Sequence, residues 1–289
     1  MAAYLSPGVY VEEVSTLPPS VAEVATAIPA FIGTTALGKA DAVEVEQVST
    51  LLDYERRFGR ATPTAFTASE TGTLDPVSAV PAHAMWYAIN LYFKNGGGRC
   101  YIVSVGNESA QLARARFEKG LEALELEDEP TLIVMPEIVA LAQADYDALN
   151  QAALAQCRKL RDRFAILDVK DGDVAKFRNG VGIDNLSYGA AYHPYLDTSL
   201  THLFDETQVT LGSGDKARKL SDLKSTDTAL YNAVKKTLAE QRVSLPPSAA
   251  VAGIYARVDR DRGVWKAPAN VGAMSVIGPA TAISDDAQG

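Results

Sequence analysis

Asp168 is the residue whose type and position most directly suggest acid–base chemistry. It lies at the end of the apolar run Phe164–Leu167, a place where a catalytic triad can carry its aspartate. A hydrolase would also need a positioned histidine and a nucleophilic serine with oxyanion donors. The histidines at positions 83, 193 and 202 lack supporting motifs, and the chain has no Gly-x-Ser-x-Gly elbow. We predict no catalytic residue and expect Asp168 to face solvent or a turn.

The glycine-rich turn and the metal-ligating residue types do not predict a ligand site. Phosphate loops run from a strand into a helix and carry a following lysine, whereas Asn95-Gly-Gly-Gly98 follows a helical pattern and precedes a strand-like run. The three histidines are too few and too scattered for a metal site. Cys100 and Cys157 suggest no disulfide framework, and we expect buried thiols. We therefore predict neither a cofactor nor a metal.

A dense charge cluster lies near the end of the chain and is followed by a tryptophan. Its members are Arg257, Asp259, Arg260, Asp261, Arg262 and Trp265. Alternating signs favour a charge network over an acid–base site. Exposed ion pairs contribute only about 0–1 kcal/mol each, but at a subunit interface they fix register and reject wrong partners. The cluster is either a brace within one subunit or part of an interface. We expect Trp265, with Val264 and Pro268, to anchor the following segment by burial.

Composition and charge narrow the class of protein. The 289 residues, 47% hydrophobic and 22% charged, suffice for one large or two ordinary globular domains. A net charge of −9 argues against a general nucleic-acid binder and against binding to anionic membranes. No apolar run approaches the roughly 20 residues that cross a bilayer, and the N-terminus lacks a signal-peptide pattern. We expect synthesis and folding in the cytoplasm.

Residues 1–20 have the pattern of an extended arm rather than of a core element. Val9–Val14 is strand-like because it is rich in β-branched and aromatic residues, and Leu17-Pro18-Pro19-Ser20 ends it. Such a strand could be an ordinary edge strand of its own domain. It could also pair with a sheet edge of another subunit. The residues alone leave both interpretations open.

The remainder of the chain predicts an α/β fold. Strands are expected at 24–33, 43–48, 100–105, 131–136, 163–169 and 188–196, and helices at 51–58, 81–94, 145–163 and 226–242. Strand, helix and strand between 131 and 169 form a βαβ unit, which indicates a central, mostly parallel sheet flanked by helices. We expect an exposed loop at 60–81, a loop or hairpin at 197–226, and a solvated acidic segment at 121–129.

Two segments resemble the contractile tail sheath proteins of bacteriophages and of phage-tail-like injection systems. The first is Tyr4-Leu-Ser-Pro-Gly-Val-Tyr-Val-Glu-Glu-Val14. The second is Val243–Asn270, with its Pro-Pro turn, small-residue run, charge cluster and Trp265. They occur in the family's order. The resemblance implies a sheath core of subtilisin-like topology at residues 21–270, and a strand-exchange arm at 1–20. In that arm, contacts with a neighbouring subunit are implied for Val9, Tyr10, Val11, Glu12 and Glu13. The family normally continues with a C-terminal domain, and residues 271–289 are expected to be the start of that domain, which is truncated or absent in this sequence.

The resemblance also implies a mechanical function without a reaction centre. Sheath subunits polymerise as helical rings around an inner tube and drive tube ejection by contraction. The implied partners are identical subunits, the inner tube protein, and baseplate and tail terminator proteins, without nucleic acid or direct membrane binding. Assembly in the bacterial cytoplasm would precede a place in a phage tail or an injection particle. A sheath-derived cap or decoration protein that does not contract is the alternative, and an enzyme that depends on Asp168 is the least favoured class.

Overall fold

A six-stranded sheet forms the centre of the structure, a computed structural model that describes residues 26–109, 111–214 and 217–282. The predicted arm at residues 1–20, with its contact residues Val9–Glu13, lies outside the described residues. The end of the chain, residues 283–289, lies outside them as well.

The six strands confirm the predicted central, mostly parallel sheet. From one edge to the other they are β2 (Glu44–Val48), β4 (Cys100–Asn107), β1 (Pro29–Thr35), β5 (Leu132–Val134), β6 (Phe164–Asp168) and β7 (Gly189–Tyr192). Neighbouring strands run parallel except β2, which pairs antiparallel with β4 at one edge. Every residue of β1 is buried, as expected for a strand that is covered on both faces.

Helices cover both faces of this sheet. In chain order the helices are α1 (Leu51–Phe58), α2 (Met85–Lys94), α3 (Arg114–Leu124), α4 (Gln143–Leu160), α5 (Val174–Val181), α6 (Leu220–Thr226), α7 (Thr228–Ala239) and α8 (Ser248–Arg262). One hydrophobic cluster joins Phe31 and Ile102 of the sheet to α1, α2 and α8. A second cluster joins Ile32 and Val103, the next residues along the same strands, to α3, α4 and α5. Successive strand residues point to opposite faces, so the sheet separates these two helical layers. Among the described helices none is long and apolar enough to span a bilayer.

Two small sheets extend the core. The first is antiparallel, with β8 (Leu196–Thr201) between β11 (Arg242–Leu245) and β12 (Val276–Pro279). The second contains β3 (Thr67–Ala68), β9 (Thr210–Leu211) and β10 (Arg218–Lys219), and it packs with α6 and α7 around a third hydrophobic cluster. Since β12 pairs with β8, residues beyond 270 share a sheet with the core, and the domain division at residue 270 stays a prediction.

Elements with strong local signals lie where the sequence places them. Helix α1 spans 51–58 as predicted because Thr50 Oγ1 accepts a hydrogen bond from Asp53 N at 3.1 Å and Gly59 ends the helix at φ 81°. The predicted helix at 145–163 is confirmed as α4, three residues shorter at its C-terminal end. Cys100 and Cys157 are buried free thiols, also as predicted.

Several segments differ from the sequence-based expectation. The acidic segment 121–129 is not wholly solvated, because it contains the last turn of α3 and buries Leu121 and Leu124. The single strand predicted at 188–196 is two strands, β7 and the start of β8, in different sheets. The segment 197–226 contains the antiparallel pair β9 and β10, which agrees with the expected hairpin, but it also contains most of β8 and all of α6. The loop at 60–81 buries Phe66 and Ala68. In each case burial depends on a partner that lies far away in the sequence.

Candidate functional site

Asp168 is buried, and the prediction that it faces solvent or a turn is wrong. Its side chain is 4% exposed. One carboxylate oxygen accepts from Ser248 N at 2.7 Å and the other from Ser248 Oγ at 2.5 Å. Ser248 is the first residue of α8, and backbone N–H groups at a helix N-terminus lack partners within the helix. Asp168 therefore caps a helix that begins 80 residues later in the chain. Burial raises its pKa to about 7, against the lowering effect of both hydrogen bonds.

A second buried carboxylate, Glu137, has the same role at α2, and sequence reasoning missed it. Glu137 follows β5 and is 1% exposed. It accepts hydrogen bonds from Thr34 N at 2.6 Å, Thr34 Oγ1 at 2.9 Å and Met85 N at 3.2 Å. Burial raises its pKa to about 7, and the Thr34 hydrogen bonds oppose this. The available signal was its position directly after the strand-like run 131–136, at the same sheet edge as Asp168.

The hydroxyls at this edge are not arranged as catalytic nucleophiles. Thr34 Oγ1 lies 2.9 Å from His83 Nδ1 and 2.9 Å from a Glu137 oxygen, so the hydroxyl sits between the imidazole and the carboxylate. In a catalytic triad the imidazole lies between the other two groups. Both Thr34 and Ser248 are 0% exposed, which leaves a substrate no access. The two carboxylates instead fix the N-termini of α2 and α8 to the sheet.

A second histidine, His202, also makes a hydrogen bond within the chain. His202 is 3% exposed, its Nδ1 lies 3.1 Å from Thr64 Oγ1, and burial lowers its pKa. It lines a cleft of about 320 Å³ together with His83 and Tyr87. Within the described part of the chain, no group of three or more His, Cys, Asp or Glu residues is placed to hold a metal ion.

The buried carboxyls predict a pH dependence of stability. The folded-state pKa of Glu137, about 7, exceeds its ordinary value of 4.5, so its protonated form is favoured in the folded protein. Its contribution is fully present below pH 4.5 and is lost as the pH rises through about 7, by at most roughly 3 kcal/mol. We expect Glu137→Gln to remove the Glu137 contribution to this dependence between pH 5 and 8 in urea-unfolding experiments, whereas the contribution of Asp168, whose pKa is also raised to about 7, remains. Parallel pH profiles for the variant and the unchanged protein would contradict the assignment.

The five charged residues of the predicted cluster lie in the last turns of α8, and three of them form hydrogen bonds with other segments of the same chain. Arg257 Nη2 donates to Gly272 O at 2.7 Å, and Arg260 Nη1 donates to Gly96 O at 2.9 Å. Asp259 accepts from Thr26 Oγ1 at 2.7 Å. These contacts connect α8 with the segment before β1, the turn after α2 and the segment that follows α8. Among the described residues, ion pairing inside the cluster is limited to Arg260 and Asp261 at 3.0 Å.

Trp265 is exposed, and the prediction that it anchors the chain by burial is wrong. Its side chain is 81% exposed, and that of the neighbouring Val264 is 63% exposed. Arg262 is exposed as well. An apolar residue type predicts burial only where another element covers it, and no described element covers this segment. The structure therefore divides the cluster into residues that bind within the chain and residues that face outward.

The small-residue run at the start of α8 allows this helix to approach α2 closely. Ala249, Ala250 and Ala252 belong to the cluster that α2 and α8 share. A Cβ atom added at Gly253 would lie 2.6 Å from Tyr92 O and 2.8 Å from Asn95 Cβ. The α2–α8 contact thereby fixes the position of α8, which is capped by Asp168 at its N-terminal end and carries the charge cluster at its C-terminal end.

Comparison with solved structures identifies the fold. A chain of the anti-feeding prophage (AFP) baseplate superimposes with a TM-score of 0.57 and 23% identity, covering 99% of this chain and 62% of that chain. A chain of the AFP helical sheath in its contracted state superimposes with a TM-score of 0.58 and 24% identity, covering 98% of this chain and 60% of that chain. A chain of the contracted sheath complex of PVC, an extracellular contractile injection system, superimposes with a TM-score of 0.52 and 22% identity. The match covers 100% of this chain and 60% of that chain. The present chain shares their fold and spans about three fifths of their length. No family model and no curated protein sequence matches it.

Proposed function

We propose that this chain is a structural subunit of a contractile tail sheath, which polymerises as helical rings around an inner tube and ejects that tube by contraction. One observation carries the proposal: nearly the whole chain shares its fold with chains of contracted sheath complexes. The segments 4–14 and 243–270, which resemble sheath proteins, add support from the sequence. The subtilisin-like topology of the core at residues 21–270 belongs to the same proposal.

The packing of the core suits a subunit that moves as a rigid body. Two hydrophobic clusters lie on the faces of the six-stranded sheet, and buried carboxylates fix α2 and α8 to its edge. Close-packed interiors are not continuously deformable, so large movements occur between such bodies. Contraction would then exchange one set of contacts between subunits for another, and many small gains sum along a polymer. This mechanism needs neither a cofactor nor a reaction centre.

The arm would keep neighbouring subunits connected during that movement. Its strand-like segment, with Val9, Tyr10, Val11, Glu12 and Glu13, would donate backbone hydrogen bonds to a sheet of another copy. Within the described residues, β12 lies at the edge of its sheet, and its Ile277 is 55% exposed. An exposed strand edge of this kind can accept an added strand.

The charge cluster would serve both of the roles that the sequence leaves open. Arg257, Asp259 and Arg260 brace α8 within the subunit through their hydrogen bonds to Gly272, Thr26 and Gly96. Arg262 and Trp265 are exposed and would belong to an interface. The remaining proposed partners are the inner tube protein, the baseplate and the tail terminator. Nucleic acid and direct membrane binding are not part of the proposal, and we place assembly in the bacterial cytoplasm.

A sheath-derived cap or decoration protein that does not contract is the second candidate, because one of the similar chains belongs to a baseplate. Electron microscopy of the purified chain separates the two candidates. Long hollow cylinders support the sheath subunit, whereas discrete particles of fixed size support the cap or decoration protein. A chain that remains monomeric at every concentration and salt condition would contradict both.

The arm gives a direct prediction about assembly. We expect deletion of residues 1–14 to abolish polymerisation, measured by electron microscopy and sedimentation, while thermal unfolding of the monomer is unchanged. The substitution Val11→Pro should have nearly the same effect because proline removes a backbone donor. Val11→Thr keeps that donor and the β-branched shape, and should assemble normally. Unchanged filaments after the deletion would contradict the strand-exchange role of the arm.

A further inference from the structure

An acidic loop, residues 125–129, projects from the amino-terminal edge of the main sheet between α3 and β5. Four of its five residues are acidic, and the fifth, Leu126, is 84% exposed. Glu125 pairs with Lys159 at 2.6 Å and Glu129 lies 3.6 Å from Arg99. Glu127 and Asp128 form no ion pair with any described residue. The loop thus presents these two carboxylates beside an exposed leucine.

The backbone of the acidic loop is held in place. The buried Arg163 donates to Leu124 O at 3.0 Å and to Glu127 O at 2.9 Å. Leu126 N and Glu127 N donate to Ala123 O and Leu124 O, both at 3.2 Å. A surface that is already ordered loses little conformational entropy on binding. Binding of a partner to the acidic loop would therefore cost little conformational entropy.

A basic cleft of about 500 Å³ follows α8 and has the complementary properties. Its charged lining residues are Arg257, Asp261, Arg262 and Lys266. Arg262 and Lys266 form no ion pair with residues in the described ranges, and Asp261 already pairs with Arg260. Trp265, adjacent in sequence, is 81% exposed. The cleft thus presents two cationic side chains beside an exposed tryptophan.

Hydrogen bonds also hold one wall of the basic cleft and the chain segment just beyond it. Arg257 binds Gly272 O, and the Asn95 side chain donates to Met274 O at 3.1 Å and accepts from Met274 N at 2.8 Å. Both surfaces are therefore rigid, opposite in charge, and similar in having one projecting apolar side chain.

The acidic loop and the basic cleft both lie at the amino-terminal edge of the main sheet, the loop on the side of α3 and the cleft on the side of α8. Thr26 connects the two sides, because its Oγ1 donates to Asp259 and its carbonyl oxygen accepts from Thr131 Oγ1 at 2.7 Å. Among the described residues, Glu127 and Asp128 form no ion pair with Arg262 or Lys266. Another copy of this chain carries the complementary surface for each.

We propose that the acidic loop of one copy docks in the basic cleft of a second copy, with Leu126 against Trp265 and with Glu127 and Asp128 facing Arg262 and Lys266. This inference rests on the proposed function in one respect, because a sheath supplies many copies in contact. The two surfaces differ, so the contact is heterologous. Heterologous contacts propagate into rings or helical filaments rather than closing as dimers.

Charge reversal with mixing tests the pairing. Glu127→Lys/Asp128→Lys in one chain and Arg262→Glu/Lys266→Glu in another should each weaken self-association about tenfold or more, measured by sedimentation velocity at low salt. Mixing the two variants should restore association, because the reversed loop then meets the reversed cleft. The matched control Glu70→Lys/Glu122→Lys changes the net charge equally at two exposed positions outside the loop. An equal loss of association in the control, or no rescue on mixing, overturns the proposal.

A cross-link separates this contact from the proposed function. Leu126→Cys in one chain and Trp265→Cys in another should form a disulfide-linked heterodimer under mild oxidation, and the native cysteines do not interfere because both are buried. A cross-link without filaments supports the contact and contradicts the sheath function. Filaments without a cross-link, and without sensitivity to charge reversal, contradict the contact and leave the sheath function standing. Absence of both contradicts both.

Discussion

The substitution Asp168→Ala is expected to lower the free energy of unfolding by about 3 kcal/mol at pH 6, measured by urea unfolding. The physical reason is that Ser248 N and Ser248 Oγ are buried donors with Asp168 as their acceptor. Removing the carboxyl group leaves Ser248 N and Ser248 Oγ at the α8 N-terminus buried and without a hydrogen-bond partner. Unsatisfied buried polar groups cost about 1–3 kcal/mol each.

Two controls separate this effect from helix capping in general. Ser248→Ala removes one donor and keeps the backbone hydrogen bond, so its cost should be nearer to about 1 kcal/mol. Asp173 is a partly exposed N-cap residue of α5 that accepts from Lys176 N, and Asp173→Ala should also cost about 1 kcal/mol. A loss for Asp168→Ala no larger than the loss for Asp173→Ala would show that burial of the cap contributes nothing.

The substitution Gly253→Val is expected to destabilise the fold by at least about 3 kcal/mol, or to prevent soluble expression. A Cβ atom at this position would lie 2.6 Å from the backbone oxygen of Tyr92, and a backbone atom inside α2 cannot move aside as a side chain can. Helices α2 and α8 would have to separate. That separation would loosen the cluster that also contains Phe31 and Ile102 of the main sheet.

The matched control is a helical glycine whose nearest neighbour can move. Gly180 lies in α5, and a Cβ atom there would meet the carboxylate end of Asp147, a short flexible group. Gly180→Ala should change stability by less than about 1 kcal/mol, because the better helix propensity of alanine offsets the displacement. Chemical unfolding of both variants gives the comparison. Equal losses at Gly253 and Gly180 would contradict the close α2–α8 approach.

The locally coded elements of this protein could be predicted from the sequence. Helix α1 depends on Thr50, Asp53 and Gly59, which lie within one short segment. The apolar strand–helix–strand pattern between 131 and 169 sufficed to predict a parallel sheet, because both the period of a helix and the length of a buried strand are visible locally. The motifs at 4–14 and 243–270 carried the functional hypothesis.

For Asp168 and Trp265, only the tertiary structure decided whether the side chain is buried. Asp168 follows a strand, and no neighbouring residue in the sequence indicates a partner for its carboxyl group. The fold supplies that partner by bringing Ser248 within hydrogen-bonding distance. Trp265 has an apolar side chain but no described element covers it, so a residue expected in the core became part of a surface. Burial depends on contacts between segments that are distant along the chain, and a single sequence records residue types and spacing but not which distant segments meet.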